Sequence, residues 1–288
     1  MRLGLTNLAW DPSRDEAVAG LLARLGVDAI DVAPSKYFAD VAAVREAEVR
    51  RVRDWWADRG IEITGMQSLL YGTQGLNLFG PPDVQQRMLA YLAAVCRVGA
   101  WLGATRLVFG SPANRNRAGL TDAEAWVRAL DFFGRLAEVA AEVGVTICLE
   151  GVHPHYGANF MTDTASSLRM ARALNHPSVG IVLDTAVVQL NGEDIEALLA
   201  EGAAWVRHIH ASEKDLVPLG QPADARQPGV APGVPLGRVP AAVDHAAMAA
   251  AMRRWVPDRV VCVEILARGN DLHFANIEQS LAFARRHY

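Results

Sequence analysis

Residues 121–151 read TDAEAWVRALDFFGRLAEVAAEVGVTICLEG, an amphipathic stretch followed by a short apolar run that ends in a carboxylate. Thr121 and Glu124 have the spacing of a helix capping box, and Gly144 is placed to stop the helix. The predicted apolar face of this helix consists of Val127, Leu130, Phe133, Ala137 and Ala140. The run before Glu150 is typical of a strand that is buried on both faces of a parallel sheet. The stretch therefore predicts one helix followed by one strand.

The same alternation extends along the whole chain. Strand candidates begin at Arg2, Val27, Ile61, Thr105, Val145, Val179, Trp205 and Arg259. Helices are predicted over residues 14–25, 40–58, 82–102, 121–143, 163–174, 192–201, 243–254 and 274–287. Eight strands alternating with eight helices predict a single-domain (β/α)8 TIM barrel over residues 1–288. An open doubly wound sheet is the competing fold, but the run LTNLAWDPS after the first strand has no glycine fingerprint.

Composition narrows the class of protein further. The chain has 288 residues, of which 51% are hydrophobic, and a net charge of -4, so we expect neither nucleic acid nor a membrane as a partner. Cys96, Cys148 and Cys262 are far apart, which favours buried thiols over disulfides. With no signal-peptide pattern and no run of about 20 apolar residues, a soluble cytoplasmic protein is expected. A homodimer or homotetramer is compatible with the sequence.

One segment interrupts the repeat. Residues 213–240 read EKDLVPLGQPADARQPGVAPGVPLGRVP, rich in proline and glycine, with neither helical nor strand periodicity. The segment follows the seventh predicted strand, on the face of a barrel where active sites lie. Long loops inside compact domains are usually functional or disordered. We expect a lid over the site, with an inert linker as the alternative.

Four predicted strands end in a side chain that binds metal ions well. The runs are TICLE, GIVLD, VRHIH and VVCVE, which end at Glu150, Asp184, His210 and Glu264. In a barrel these strand ends converge, and three buried carboxylates cannot share one point unless a cation joins them. The alternative is that each residue pairs separately with an Arg or Lys. A mixed oxygen and imidazole set suits Mn²⁺, Mg²⁺, Co²⁺ or Zn²⁺ better than Ca²⁺.

On these residues the sequence resembles the xylose-isomerase-like barrel superfamily, which includes sugar isomerases and epimerases, hydroxypyruvate isomerases, inosose dehydratases and endonuclease IV. The most specific part lies within residues 149–212, in the runs LEGVHPHYGANF, LDTA and RHIHAS. The spacing is closest to that of ketose 3-epimerases. That resemblance implies that Glu150, Asp184, His210 and Glu264 bind one divalent ion, Mn²⁺ first among the candidates. It also implies that Glu150 and Glu264 are the catalytic residues, because the two glutamates of those enzymes also move protons.

The chain departs from the family pattern after Asp184. Family members usually carry a His three residues further on, a position that is Val187 here. We expect His153 or His155, in the loop after Glu150, to supply the missing imidazole. Candidate substrate-binding residues are His153, His155, His208, Asn7, Gln67, Lys36 and Arg115.

The activity expected from this pattern is isomerisation or epimerisation of a sugar or sugar-like α-hydroxy carbonyl compound. Removal of the proton next to a carbonyl gives an enediolate, which a divalent ion stabilises. The alternatives are a metal-dependent dehydratase of the keto-inositol type, an abasic-site endonuclease, and a non-catalytic sugar-binding barrel.

Overall fold

A computed structural model describes residues 1–221, 243–267 and 273–288, and in these the eight predicted strands close into a parallel barrel. The strands are β1 (Arg2–Thr6), β2 (Ala29–Val32), β3 (Glu62–Met66), β4 (Arg106–Phe109), β5 (Thr146–Leu149), β6 (Val179–Asp184), β7 (Val206–Ser212) and β8 (Val260–Glu264). Each strand pairs with the next, and β8 pairs with β1. The predicted TIM barrel is confirmed, and the open sheet is excluded.

Helices surround the barrel. Within the described residues they are α1 (Asp15–Arg24), α2 (Glu46–Ala57), α3 (Pro82–Leu102), α4 (Asp122–Glu142), α5 (Thr164–Leu174), α6 (Thr185–Asn191), α7 (Ile195–Gly202), α8 (His245–Trp255) and α9 (His273–His287). The helix predicted to begin at residue 40 begins at Glu46, and α6 is an additional helix. Its seven residues are too few to show a helical period in the sequence. No helix in the described ranges is long and apolar enough to cross a membrane.

Helix α4 shows which parts of the helix prediction were right. The capping box is confirmed, because Thr121 Oγ1 accepts a hydrogen bond from the Glu124 backbone N–H and the Glu124 carboxylate accepts one from Thr121 N–H. The placement of Val127 on the apolar face was wrong, since this residue is 66% exposed. Val127 shares its side of the helix with Asp131, four residues on, which is also exposed. The buried face is formed by Ala125, Ala129, Phe132, Phe133, Leu136, Ala137 and Ala140.

Small residues allow close packing between β1, β2 and β8. Gly4 is paired with Cys262 in the sheet register. A Cβ atom on Gly4 would lie 2.6 Å from Cys262 Sγ and 3.2 Å from the carbonyl oxygen of Ala29. Position 4 therefore requires glycine. The three cysteines are free and buried, which confirms the prediction of buried thiols.

The start of the predicted lid is held by a buried carboxylate. Glu213 accepts hydrogen bonds from the backbone N–H groups of Gly220 and Val243, and it pairs with His245 Nε2 at 3.2 Å. The described chain before residue 222 and the described chain after residue 242 are thus attached to the same side chain. Residues 222–242 lie outside the described residues, so the lid stays a prediction.

We predict that Gly4→Ala lowers the free energy of unfolding by about 1–3 kcal/mol, because the added methyl group overpacks the interior. The measurement is urea denaturation of the purified variant. The double variant Gly4→Ala, Cys262→Ala removes the sulfur atom from the contact and should recover part of this loss. Equal losses in the single and double variants would contradict the packing argument.

Candidate metal centre

Four side chains converge at the carboxyl ends of neighbouring strands. Glu150 follows β5, Asp184 ends β6, His210 lies in β7, and Glu264 ends β8. His210 Nδ1 is 3.4 Å from Glu150 Oε1 and 3.5 Å from Glu264 Oε2. Glu150, Asp184 and His210 each offer a ligand atom, and these atoms lie within 4.8 Å of one another. The three carboxylates line a cavity of about 480 Å³.

The imidazole of His210 has no hydrogen-bond partner among the described residues. The ring is fully buried, and neither of its nitrogens makes a hydrogen bond with this part of the chain. A buried polar atom without a partner is costly, and Nδ1 faces two carboxylates instead of solvent. A cation bound between Nδ1 and these carboxylates would satisfy both the nitrogen and the charges. The residues present therefore fit a divalent ion.

Two of the carboxylates have raised pKa values, because burial and mutual repulsion disfavour several negative charges in one place. Burial raises the pKa of Asp184 to about 6, and the charge of Glu150 adds to this. Burial also raises the pKa of Glu264 to about 7, although His210 opposes the shift. Burial disfavours a charged His210 as well, yet Glu264, Asp31 and Glu150 raise its pKa well above the usual value. A cluster with such shifts is typical of a functional site.

Asp184 is held by the segments on either side of it. Its carboxylate caps α6 by accepting a hydrogen bond from Val187 N–H at 2.9 Å. The Ser212 hydroxyl, at the end of β7, lies 2.9 Å from both carboxylate oxygens. The Ser212 backbone is fixed in turn by Thr185, whose hydroxyl donates to the Ser212 carbonyl oxygen and accepts from its N–H. These contacts fix the orientation of the carboxylate.

A fourth acidic residue, which the sequence reasoning missed, lies behind the imidazole. Asp31 in β2 is fully buried, and its Oδ2 is 3.6 Å from His210 Nε2. Its carboxylate accepts a hydrogen bond from His208 Nε2 at 2.5 Å and another from the Thr64 hydroxyl at 3.0 Å. Burial alone would raise the pKa of Asp31, but His208 and His210 outweigh it and hold the pKa below its usual range. A charged residue inside the apolar run AIDVA was the signal that could have found it.

Asp31, His208 and His210 form a second group with metal-ligand spacing. Asp31 and His208 are already bonded to each other and do not line the cavity. We therefore place the candidate ion on the other side of His210, among Glu150, Asp184 and Glu264. His208 contacts Asp31, and its predicted contact with a substrate stays a prediction.

The other predicted substrate-binding residues lie in different surroundings. Gln67 lines the cavity, and its Nε2 donates to Glu264 Oε1 at 2.7 Å. Lys36 donates to the carbonyl oxygens of Asn7 and Trp10, and Asn7 Oδ1 accepts from Ala33 N–H. Lys36 and Asn7 are not among the described residues that line the cavity.

Arg115 is fully buried, and its guanidinium donates to the Glu150 carbonyl oxygen at 2.8 Å. Burial lowers the pKa of Arg115 to about 10. Arg115 is not part of the cavity lining, so its contact with Glu150 fixes the backbone beside the candidate ion.

The loop after Glu150 presents a tyrosine to the cavity. His155 Nε2 lies 3.1 Å from Asp215 Oδ1, and His153 Nδ1 accepts a hydrogen bond from His155 N–H. Neither histidine lines the cavity, whereas Tyr156 and Val187 do. Burial raises the pKa of Tyr156 to about 12, so its phenol is protonated at neutral pH. The sequence reasoning missed Tyr156, although it directly follows the two histidines.

With the site described, comparison with known proteins assigns the chain to a family. A family model for the xylose isomerase-like TIM barrel matches residues 19–287, and the chain belongs to this family. This confirms the resemblance seen in the sequence. The chain is also 30% identical over 103 residues to ketose 3-epimerase of Arthrobacter globiformis, a match that spans 36% of this chain and 33% of that relative.

Two solved structures share the fold over nearly the whole chain. D-psicose 3-epimerase from Clostridium cellulolyticum H10, solved with D-tagatose, superposes with a TM-score of 0.74 at 18% identity, covering 100% of this chain and 99% of the other. A probable 3-DHS dehydratase from Bacillus anthracis has a TM-score of 0.68 at 16% identity, covering 96% and 98%. The fold is therefore one that D-psicose 3-epimerase and a probable dehydratase share.

We predict that Asp31→Asn lowers the free energy of unfolding by about 3–5 kcal/mol, because it leaves His208 buried beside a neutral amide. Urea denaturation at neutral pH is the measurement. In the double variant Asp31→Asn, His208→Gln the two losses should not add, since both residues belong to one interaction. Additive losses would show that the two side chains stabilise the protein independently.

Proposed function

We propose that the protein is a divalent-metal-dependent isomerase or epimerase of a sugar or sugar-like α-hydroxy carbonyl compound. The observation that carries this proposal is the unpartnered, buried Nδ1 of His210, which lies between the carboxylates of Glu150 and Glu264. Membership of the xylose isomerase-like family supports the same class of reaction.

In this proposal Glu150, Asp184, His210 and Glu264 hold one ion, with Mn²⁺ the first candidate and Mg²⁺, Co²⁺ and Zn²⁺ also compatible with the ligand set. When bound, the ion supplies a positive charge that stabilises the oxygen charge developing as the α-proton leaves. Asp31 lies behind His210 at its Nε2 side, where a carboxylate orients a metal-binding imidazole. Ser212 orients Asp184 in a similar way.

The proton steps are assigned to the two glutamates. Glu150 follows β5 and Glu264 ends β8, with β6 and β7 between them, so the carboxylates reach the cavity from separate strands. One carboxylate removes the proton from the substrate carbon, and the other returns a proton. Gln67 donates a hydrogen bond to Glu264 Oε1 at 2.7 Å and so fixes the direction of its carboxylate.

A lyase reaction is the second candidate, and Tyr156 is the observation that favours it. Dehydration begins with the same proton removal, but it needs an acid to protonate the departing hydroxyl group. The phenol of Tyr156 lines the cavity and stays protonated at neutral pH. A probable 3-DHS dehydratase is among the structures that share this fold.

We predict that the metal-loaded protein exchanges the α-proton of its substrate with solvent, and that Glu150→Gln and Glu264→Gln each abolish this exchange. Each variant keeps the shape of the side chain and removes a group that transfers a proton. A panel of ketoses incubated in D₂O and analysed by NMR and mass spectrometry is the measurement. Deuterium at the α-carbon with no loss of water indicates an isomerase or epimerase, whereas loss of water indicates the lyase.

The matched control is Glu142→Gln at the exposed end of α4, which should exchange deuterium like the parent. Undiminished exchange in Glu150→Gln or Glu264→Gln would remove that residue from the reaction.

We predict that the protein binds one divalent ion per chain and that its affinity for the ion falls as the pH is lowered from 7.5 to 5.5. Protons on Glu264, Asp184 and His210 compete with the ion, and these groups have pKa values of about 7, about 6, and well above the ordinary value of histidine. Each proton displaced weakens binding by roughly tenfold per pH unit below its pKa. Calorimetric titration with Mn²⁺ at pH 5.5 and 7.5 measures the change. His210→Ala should lose the tight site, whereas the control His153→Ala should keep it.

A further inference from the structure

The candidate ion site occupies only part of the cavity. Glu150, Asp184, Glu264 and Gln67 make one region of the lining polar. Much of the remaining lining is apolar, as shown by Leu70, Val152, Val187 and Leu216. A sugar with hydroxyl groups on every carbon would bury some of them against these side chains without a hydrogen-bond partner, which is costly.

Two aromatic rings extend the apolar region. Tyr71 is 75% exposed and Tyr156 is 37% exposed, and both line the same cavity. Among the described residues, the only other large hydrophobic side chains with such exposure are Val127 and Leu266. Exposed aromatic side chains beside a cavity are typical of ligand-binding surfaces, where rings stack against planar groups.

The charge of the lining argues against an anionic substituent. Of the described residues around the cavity, none is Lys or Arg. The guanidinium of Arg115 lies nearby, but it donates to the carbonyl oxygens of Glu150 and Gly110. A phosphate or carboxylate group on the substrate would thus meet a lining that contains four acidic residues, Glu150, Asp184, Glu213 and Glu264, and no side-chain cation from these residues.

From this polarity we infer that the substrate is a sugar-like α-hydroxy carbonyl compound that carries an aromatic substituent. The inference rests on the proposed function, because Glu150, Glu264 and the ion would bind the sugar unit. The aromatic substituent would pack against Val187, Leu216, Tyr71 and Tyr156. The cavity volume of about 480 Å³ lies within the range of sites that bind drug-sized ligands.

The position of Val187 also supports a polar region at the candidate ion with an apolar region beside it. This residue lies in the first turn of α6, three residues after Asp184, and it lines the cavity. Leu216 lies six residues after His210 and lines the cavity too. Val187 and Leu216 thus line the same cavity as the proposed metal ligand Asp184. An apolar group attached to a sugar unit bound at the ion would lie against these two side chains.

Equilibrium binding of two unreactive ligands tests the inference without turnover. The probes are phenyl β-D-glucopyranoside and methyl β-D-glucopyranoside, titrated calorimetrically into the full chain loaded with Mg²⁺. We expect the phenyl glycoside to bind at least about tenfold more tightly, because its ring loses apolar surface to the cavity. Leu216→Gln and Val187→Asn should each reduce this ratio to less than about threefold by placing an amide against the ring.

The control is Val127→Gln, an apolar-to-polar change on the exposed side of α4, which should leave the ratio unchanged. Equal affinities for the two glycosides, no binding of the phenyl glycoside, or a ratio that persists in either cavity variant would overturn the inference. Deuterium exchange with ketoses reports on the proposed reaction by itself, so a failure of the aromatic site and a failure of the isomerase proposal give different results.

Discussion

Both ring nitrogens of His210 face carboxylates, and the arrangement of the barrel interior depends on these contacts. Nδ1 faces Glu150 and Glu264, and Nε2 faces Asp31. Three strands besides β7 must therefore bring an acidic side chain to within 4 Å of one fully buried ring. Such a concentration of charge in the interior is costly unless each group has a partner.

The interior is built to hold the carboxylate behind the ring. Asp31 takes hydrogen bonds from His208 and Thr64, which lie on β7 and β3. A Cβ atom at Gly65 would lie 2.6 Å from Asp31 Oδ1, so β3 needs glycine next to the carboxylate. The polar centre thus extends from the cavity into the barrel through contacts between strands that are far apart in the sequence. Strand packing and site geometry depend on the same few residues.

The fold could be predicted from the sequence because apolar strand-like runs alternate with amphipathic helical stretches along it. The sequence also predicted that Glu150, Asp184, His210 and Glu264 lie at one end of the barrel. The position of a residue within a strand determines the end of the barrel at which it lies. The direction of a long side chain was not predictable in this way. Arg115 and Lys36 donate to backbone carbonyl oxygens of the surrounding loops. Asp31 and His208 meet across the barrel, a contact that neither strand pattern contains.

Glu213 allows the sequence of the long loop to change with little effect on the stability of the barrel. Because this carboxylate binds the backbone at Gly220 and at Val243, the chain enters and leaves the segment at fixed points. The entropy lost on closing a loop grows only with the logarithm of its length, by about 0.6 kcal/mol for each doubling. Insertions, deletions and substitutions between these two points therefore cost the barrel little. Related chains can therefore differ in the sequence of this loop while the barrel below it stays the same, as long as the glutamate that joins the two ends of the loop is retained.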